Sequence, residues 1–175
     1  MTQMPPASPL TALPVGFPID VDLLLPDLVR PAATGSGGGR EVLVVDDSPI
    51  ARVFLARRLT LFGYRVYLAA NGEQGLAVVD QHPGIGLAFV DLGLGPAPAM
   101  DGLGVCQVIR QRERTLGRRM AVVLVSGNRS ETVRVRASLA GGDAFLTKPL
   151  LEPDFLAVLR QADPLFATQA ETTPA

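Results

Sequence analysis

From Glu41 onward, short apolar runs alternate with longer segments in which apolar residues recur at helical spacing. Val42 to Val45 is mostly β-branched and uninterrupted by polar residues, which suits a strand buried on both faces. Ser48 and Pro49 then mark a helix start, as a side-chain cap and a first-turn proline. Ile50, Val53, Phe54, Leu55 and Leu59 are expected to supply that helix's buried stripe. The alternation repeats, predicting strands near Arg65 to Ala69, Gly86 to Val90, Ala121 to Val125 and Ala144 to Thr147. Helices are expected near Gly72 to Gln81, Gly102 to Arg114, Glu131 to Ala140 and Pro153 to Gln161. Five β-α units in this order imply an α/β fold: a five-stranded, parallel, doubly wound sheet, with functional residues beyond the carboxyl ends of its strands.

Residues 1 to 40 follow a different rule. Pro5, Pro6, Pro9, Pro14, Pro18, Pro26 and Pro31 break helix and strand, and Gly35 to Gly39 reads Gly-Ser-Gly-Gly-Gly, a linker composition. Within this extension, Ile19 to Leu28 mixes aliphatics with Asp20, Asp22 and Asp27, and both a short amphipathic turn against a partner and disorder are open readings. The expected organisation is an extension over 1–40, one domain over 41–160 and a flexible tail over 161–175. That tail leaves no room for a helical DNA-binding module, so direct nucleic-acid contact is not expected.

Composition narrows the class. Hydrophobic residues make up 47% and charged residues 19% of 175, the balance of a compact globular protein. The net charge of −1 provides no general field toward nucleic acid or an anionic membrane. The first basic residue is Arg30, so no signal peptide is expected, and no apolar run is long enough to span a bilayer. Cys106 stands alone, which excludes an internal disulfide and fits a cytoplasmic protein with a small buried thiol. Residues 41–160 carry 14 basic against 12 acidic residues, a charge of +2, and the first 40 carry two Arg against three Asp, a charge of −1. Arg110, Arg112, Arg114, Arg118 and Arg119 form a run that reads as a solvated face, or as a dock for Asp20, Asp22 and Asp27.

The chemistry lies at the strand ends. Asp46 and Asp47 follow the first strand, Asp91 the third, Ser126 the fourth, and Lys148 with Pro149 the fifth. Three carboxylates converging at one edge need a cation, and hard oxygen ligands select Mg²⁺. Lys148 is the only lysine among 16 Lys plus Arg, and a compact ammonium on a flexible stem suits a phosphoryl pocket. The same groups describe a carboxylate that attacks a phosphoryl donor while cations spread the growing charge. His82, beside Pro83, reads as a solvated turn residue.

Val-Val-Asp-Asp-Ser from Val44, Phe-Val-Asp-Leu from Phe89, Met-Asp-Gly from Met100, Val-Ser-Gly from Val125 and Phe-Leu-Thr-Lys-Pro from Phe145 together resemble a response-regulator receiver domain of bacterial two-component systems. The likeness covers about 41–160 and is closest in organisation to the single-domain chemotaxis and twitching-motility regulators. It implies a flavodoxin-like (βα)5 fold, a signalling module rather than an enzyme, and a phosphoacceptor at Asp91. It further implies Mg²⁺ bound by Asp47 directly, by Asp46 through water, by Asp91, and by the Gly93 carbonyl. Ser126 is then the switch hydroxyl, Phe145 the switch aromatic, Lys148 the phosphoryl-pairing cation, and Pro149 follows a cis peptide bond. The implied partners are a sensor histidine kinase or phosphotransfer protein and an unidentified downstream protein, with homodimerisation open and no membrane contact.

One segment departs from the pattern: Gly93-Leu94-Gly95-Pro96-Ala97-Pro98-Ala99 makes the loop between Asp91 and Gly102 longer than in the family. Such a loop would alter the metal-facing carbonyl, donor access or the lifetime of the phosphorylated state. Two other readings stand beside the phosphoacceptor. One is a non-phosphorylated scaffold of receiver shape. The other is a Mg²⁺-dependent aspartyl phosphatase, against which the acid pair and the nucleophile come from different strands.

Overall fold

The computed structural model describes residues 40–95 and 100–166. Five strands form one parallel sheet: β1 (Glu41–Val45), β2 (Arg65–Ala69), β3 (Ile85–Asp91), β4 (Ala121–Ser126) and β5 (Ala144–Thr147), in the spatial order β2-β1-β3-β4-β5. The helices α1 (Pro49–Leu61), α2 (Gly72–Gln81), α3 (Gly102–Leu116), α4 (Glu131–Leu139) and α5 (Glu152–Ala162) connect or follow them. Strand periodicity sorts the core into two layers. Val42 and Val44 join α1 and α5 through Leu55, Leu59, Phe155 and Leu159. Leu43 and Val45 face the other way, onto α2 and α3 through Leu76, Val79, Val105 and Ile109. The chain passes from β1 outward to β2 and then back across to β3, so the crevice of the doubly wound sheet opens at the carboxyl ends of β1 and β3.

Local signals set the helix starts. Ser48, Asn71, Asp101 and Ser130 each accept a backbone N–H through the side chain at the head of α1, α2, α3 and α4. Gly117 ends α3 with φ of 66°, the left-handed conformation for which glycine is suited.

The buried stripe of α1 corrects the expectation. Leu55, Ala56 and Leu59 are buried, whereas Ile50 is 83% exposed, Phe54 46% and Val53 40%. The helix is apolar on two opposite faces, so its spacing alone does not say which one meets the sheet. His82 is likewise not simply solvated: it caps the end of α2, half-buried, with its ring 4.2 Å from that of Tyr67.

The packed body also runs past the boundary expected at 160. Asp163 accepts from the Tyr64 hydroxyl, from Arg40 at 3.1 Å, and from the amides of Leu165 and Phe166 at 2.9 and 3.3 Å. The Arg40 guanidinium lies 4.5 Å from the Tyr64 ring centre and 5.8 Å from that of Phe166, which is itself buried. Arg40 and residues 161–166 therefore belong to the fold, because one carboxylate gathers both ends of the chain segment.

A second polar knot accounts for much of the arginine run. Asp143 accepts from Arg110, from Arg119 and from the Val122 amide, the last at 2.7 Å. Arg110 also reaches Glu113, the Met120 carbonyl and the Gly141 carbonyl at 2.7–2.8 Å. Arg112 pairs with Asp80, and Arg118 donates to the carbonyls of Pro83 and Val79. These side chains brace α3 against its neighbours instead of forming a free solvated face. The acidic residues Asp20, Asp22 and Asp27, and the expected linker up to Gly39, lie outside the described residues.

Candidate functional site

Because β1 and β3 are adjacent and parallel, the residues that end them meet. Asp46 follows Val45 and donates its amide to the Ala69 carbonyl of β2 at 3.2 Å, which continues the strand direction and drives its side chain inward. Its carboxylate is 1% exposed and satisfied on both oxygens. Oδ1 accepts from the Ser48 amide at 2.9 Å and Oδ2 from Lys148 Nζ at 2.8 Å. Asp47 stays exposed and accepts from the Gly95 amide at 3.3 Å. Asp91 is the last residue of β3; Oδ1 faces Lys148 Nζ at 2.8 Å and Oδ2 accepts from the Gly93 amide at 3.0 Å.

Lys148 thus bridges two carboxylates from two strands, reaching in from the end of β5. Burial acts to lower its pKa, but hydrogen bonds and charges from Asp46 and Asp91 outweigh this and hold it above the usual lysine value. The Lys148–Pro149 peptide is cis.

Oxygens of Asp46, Asp47 and Asp91 lie within 4.8 Å of one another. Three carboxylates against a single ammonium leave excess negative charge, and all the converging donors are oxygens, so the residues fit a hard divalent cation such as Mg²⁺. The Gly93 carbonyl, expected to join this set, accepts from the Gly95 amide at 2.9 Å inside the lengthened loop. One of its lone pairs is therefore used by the turn, and one is left to a ligand.

Ser126 ends β4, one position beyond Val125, the residue paired with Asp91. Its hydroxyl accepts from the Asn128 amide at 3.0 Å, which leaves the hydroxyl proton free to donate elsewhere. Phe145 on β5 is half-buried, with the Arg134 guanidinium 5.3 Å from its ring centre.

Three supporting residues are not assigned to the site by the sequence alone, two because they carry no local signal. Arg52 donates to the Asp46 carbonyl at 2.6 Å from the first turn of α1, and its position is an ordinary one for a surface arginine. Arg134 acts through its place over Phe145, which depends on how α4 lies against β5. Gly102 has a clearer signal in Met-Asp-Gly: a Cβ there would collide with the Asp91 carbonyl and lie 2.9 Å from Leu92 Cα.

Residues 42–160 match the family model of the response regulator receiver domain. The chain belongs to that family. Among curated relatives, the transcriptional regulatory protein KdpE of Mycobacterium tuberculosis is 37% identical over 122 residues, covering 69% of this chain and 50% of KdpE. This receiver domain thus spans about half the length of the curated relatives it matches. Its fold is that of the Vibrio cholerae chemotaxis protein CheY4, with a TM-score of 0.62 and 22% identity over 71% of this chain and 99% of CheY4. It is also that of the receiver domain of Saccharomyces cerevisiae Ssk1, solved with the histidine phosphotransfer protein Ypd1, with a TM-score of 0.63 and 23% identity over 73% of this chain and 92% of that one. The receiver domain is a signalling module of two-component response regulators. Among the described residues, no helix is long and apolar enough to cross a membrane.

Proposed function

We propose that this receiver domain accepts a phosphoryl group on Asp91 from a phosphohistidine-bearing kinase or phosphotransfer protein and signals by altering its affinity for a downstream protein. The observation that carries this reading is the position of Lys148 Nζ, 2.8 Å from Asp91 Oδ1 and 2.8 Å from Asp46 Oδ2. The Gly93 amide and Lys148 each hold one Asp91 oxygen, which fixes the carboxylate's orientation for attack. A carboxylate oxygen forms the new bond to phosphorus, the bond to the donor breaks, and the donor nitrogen leaves with the electron pair. The product is an acyl phosphate.

Asp46, Asp47, Asp91 and the Gly93 carbonyl would hold Mg²⁺, which when bound neutralises charge on the phosphoryl oxygens. Lys148 gains a second task as charge moves from the carboxylate onto the phosphoryl group, and it pairs with an oxygen there. The Ser126 hydroxyl, with its proton free, donates to another. Drawing Ser126 inward disturbs the Ser126–Thr147 pairing of β4 with β5, and so the surroundings of Phe145 and Arg134.

The test is intact mass after incubation with Mg²⁺ and a small-molecule phosphodonor, for the unaltered protein and for Asp91→Asn. One phosphoryl addition, confined to the unaltered protein and lost with a chelator, is expected. No addition in either protein overturns the reading in favour of a non-phosphorylated scaffold, which the internal Gly95-to-Gly93 bond of the lengthened loop would then explain.

A further inference from the structure

Among the described residues, four of the eight exposed large hydrophobics lie on α1: Ile50, Val53, Phe54 and Leu61. At 100° per residue they fall on one side of the helix, opposite Leu55, Ala56 and Leu59, and Arg57 sits in their midst, exposed. Arg57 has no acidic partner among the described residues, whereas its neighbour Arg58 pairs with Glu152. A helix face of this make-up is built to be covered.

We infer that residues 19–28 of this same chain cover it. Three observations support this occupant. The first is where the chain enters the fold: Arg40 donates to the carbonyl of Phe62 at 3.0 Å, so the extension is delivered to the carboxyl end of α1, beside Leu61. The second is reach. The stretch from Leu28 to Arg40 extends to about 40 Å at most, while α1 is only about 20 Å long, so every position on its outer face is accessible. The third is complementarity: Ile19, Val21, Leu23, Leu24, Leu25 and Leu28 match an apolar strip, and Asp22 and Asp27 match the lone Arg57.

Two other conspicuous surfaces suit this segment less well. The arginines Arg110, Arg112, Arg118 and Arg119 around α3 are engaged within the fold. Helix α4 offers exposed Val135 and Leu139 beside Arg134 and Arg136, but its strip is narrower and it is not where the chain enters.

The docking itself does not depend on phosphorylation: it can fail while Asp91 is phosphorylated and hold while it is not.

The test uses the full chain with Gly16→Cys carrying a nitroxide, in a Cys106→Ala background, and reads relaxation enhancement at backbone amides. Enhancement several-fold greater at Ile50–Leu61 than at Glu131–Leu139 is expected, and it should collapse to the common level in Leu24→Ser/Leu25→Ser and in Phe54→Ala. An even spread of enhancement, or its concentration on α4, overturns the proposal. So does its appearance on an isotope-labelled, spin-free copy mixed with the spin-labelled one, which would make the occupant a second molecule.

Discussion

The Lys148 ammonium lies 2.8 Å from Oδ2 of Asp46, a carboxylate that is almost wholly removed from solvent. Removing the cation leaves a buried charge held only by the Ser48 amide. Lys148→Met is expected to cost about 1–3 kcal/mol, because Lys148 is itself partly solvated and its loss is partly screened. The variant carries more uncompensated negative charge, so Mg²⁺ should raise its urea midpoint more than that of the unaltered protein. Denaturation curves with and without Mg²⁺ check both points.

Alkaline pH should weaken the fold through the same kind of linkage. Burial, with the bond to Asp163, pushes the Tyr64 hydroxyl well above its ordinary value, and Lys148 is raised as well. A group whose folded pKa is raised contributes stability in full below its unfolded pKa and loses it as pH rises toward the folded one. The buried Cys106 thiol is raised too, so stability should be level up to about pH 8, begin to decline through the ordinary thiol range, and fall more steeply above about pH 10. Tyr64→Phe should lose about 1 kcal/mol at pH 8 and show a shallower alkaline decline, read from urea midpoints between about pH 8 and pH 11.

Gly102→Ala places a methyl group against the Asp91 carbonyl. The expected cost is about 1–3 kcal/mol, with a matching loss of phosphorylation at Asp91, since relief requires the acceptor's own backbone to move. Gly86→Ala is the control: it is also on β3, but a Cβ there meets nothing within 4 Å. It should be neutral or slightly stabilising in thermal denaturation.

Cys106 is wholly buried, donates to the Ala140 carbonyl at 3.3 Å, and burial pushes its thiol up to about 11. Labelling by a thiol reagent at pH 8 should be slow in native protein and rise in step with urea unfolding. Fast labelling without loss of secondary structure would contradict this burial.

The succession of strands and helices and the residue types at the strand ends were legible because each rests on a local signal. Continuous apolar runs mark strands covered on both faces, and caps such as Ser48 and Asp101 mark helix starts. The face of α1 was not legible, since two apolar sides satisfy the same spacing and only the sheet decides between them. Arg40, Tyr64 and Asp163 are far apart in sequence and meet only after the sheet has formed, so their clasp had no pattern to reveal it. Of the candidate site, the acids and Lys148 were readable by type and position, whereas Arg52 and Arg134 matter through contacts between elements.

The Asp163 clasp and the Asp143 knot share a location: Arg40 precedes β1, Tyr64 precedes β2, and Asp143 precedes β5 while binding the start of β4. Both therefore tie the sheet at its amino-terminal rim, far from Asp91. The domain is bolted at its base, while α4 anchors itself on the sheet by burying little more than Ala137.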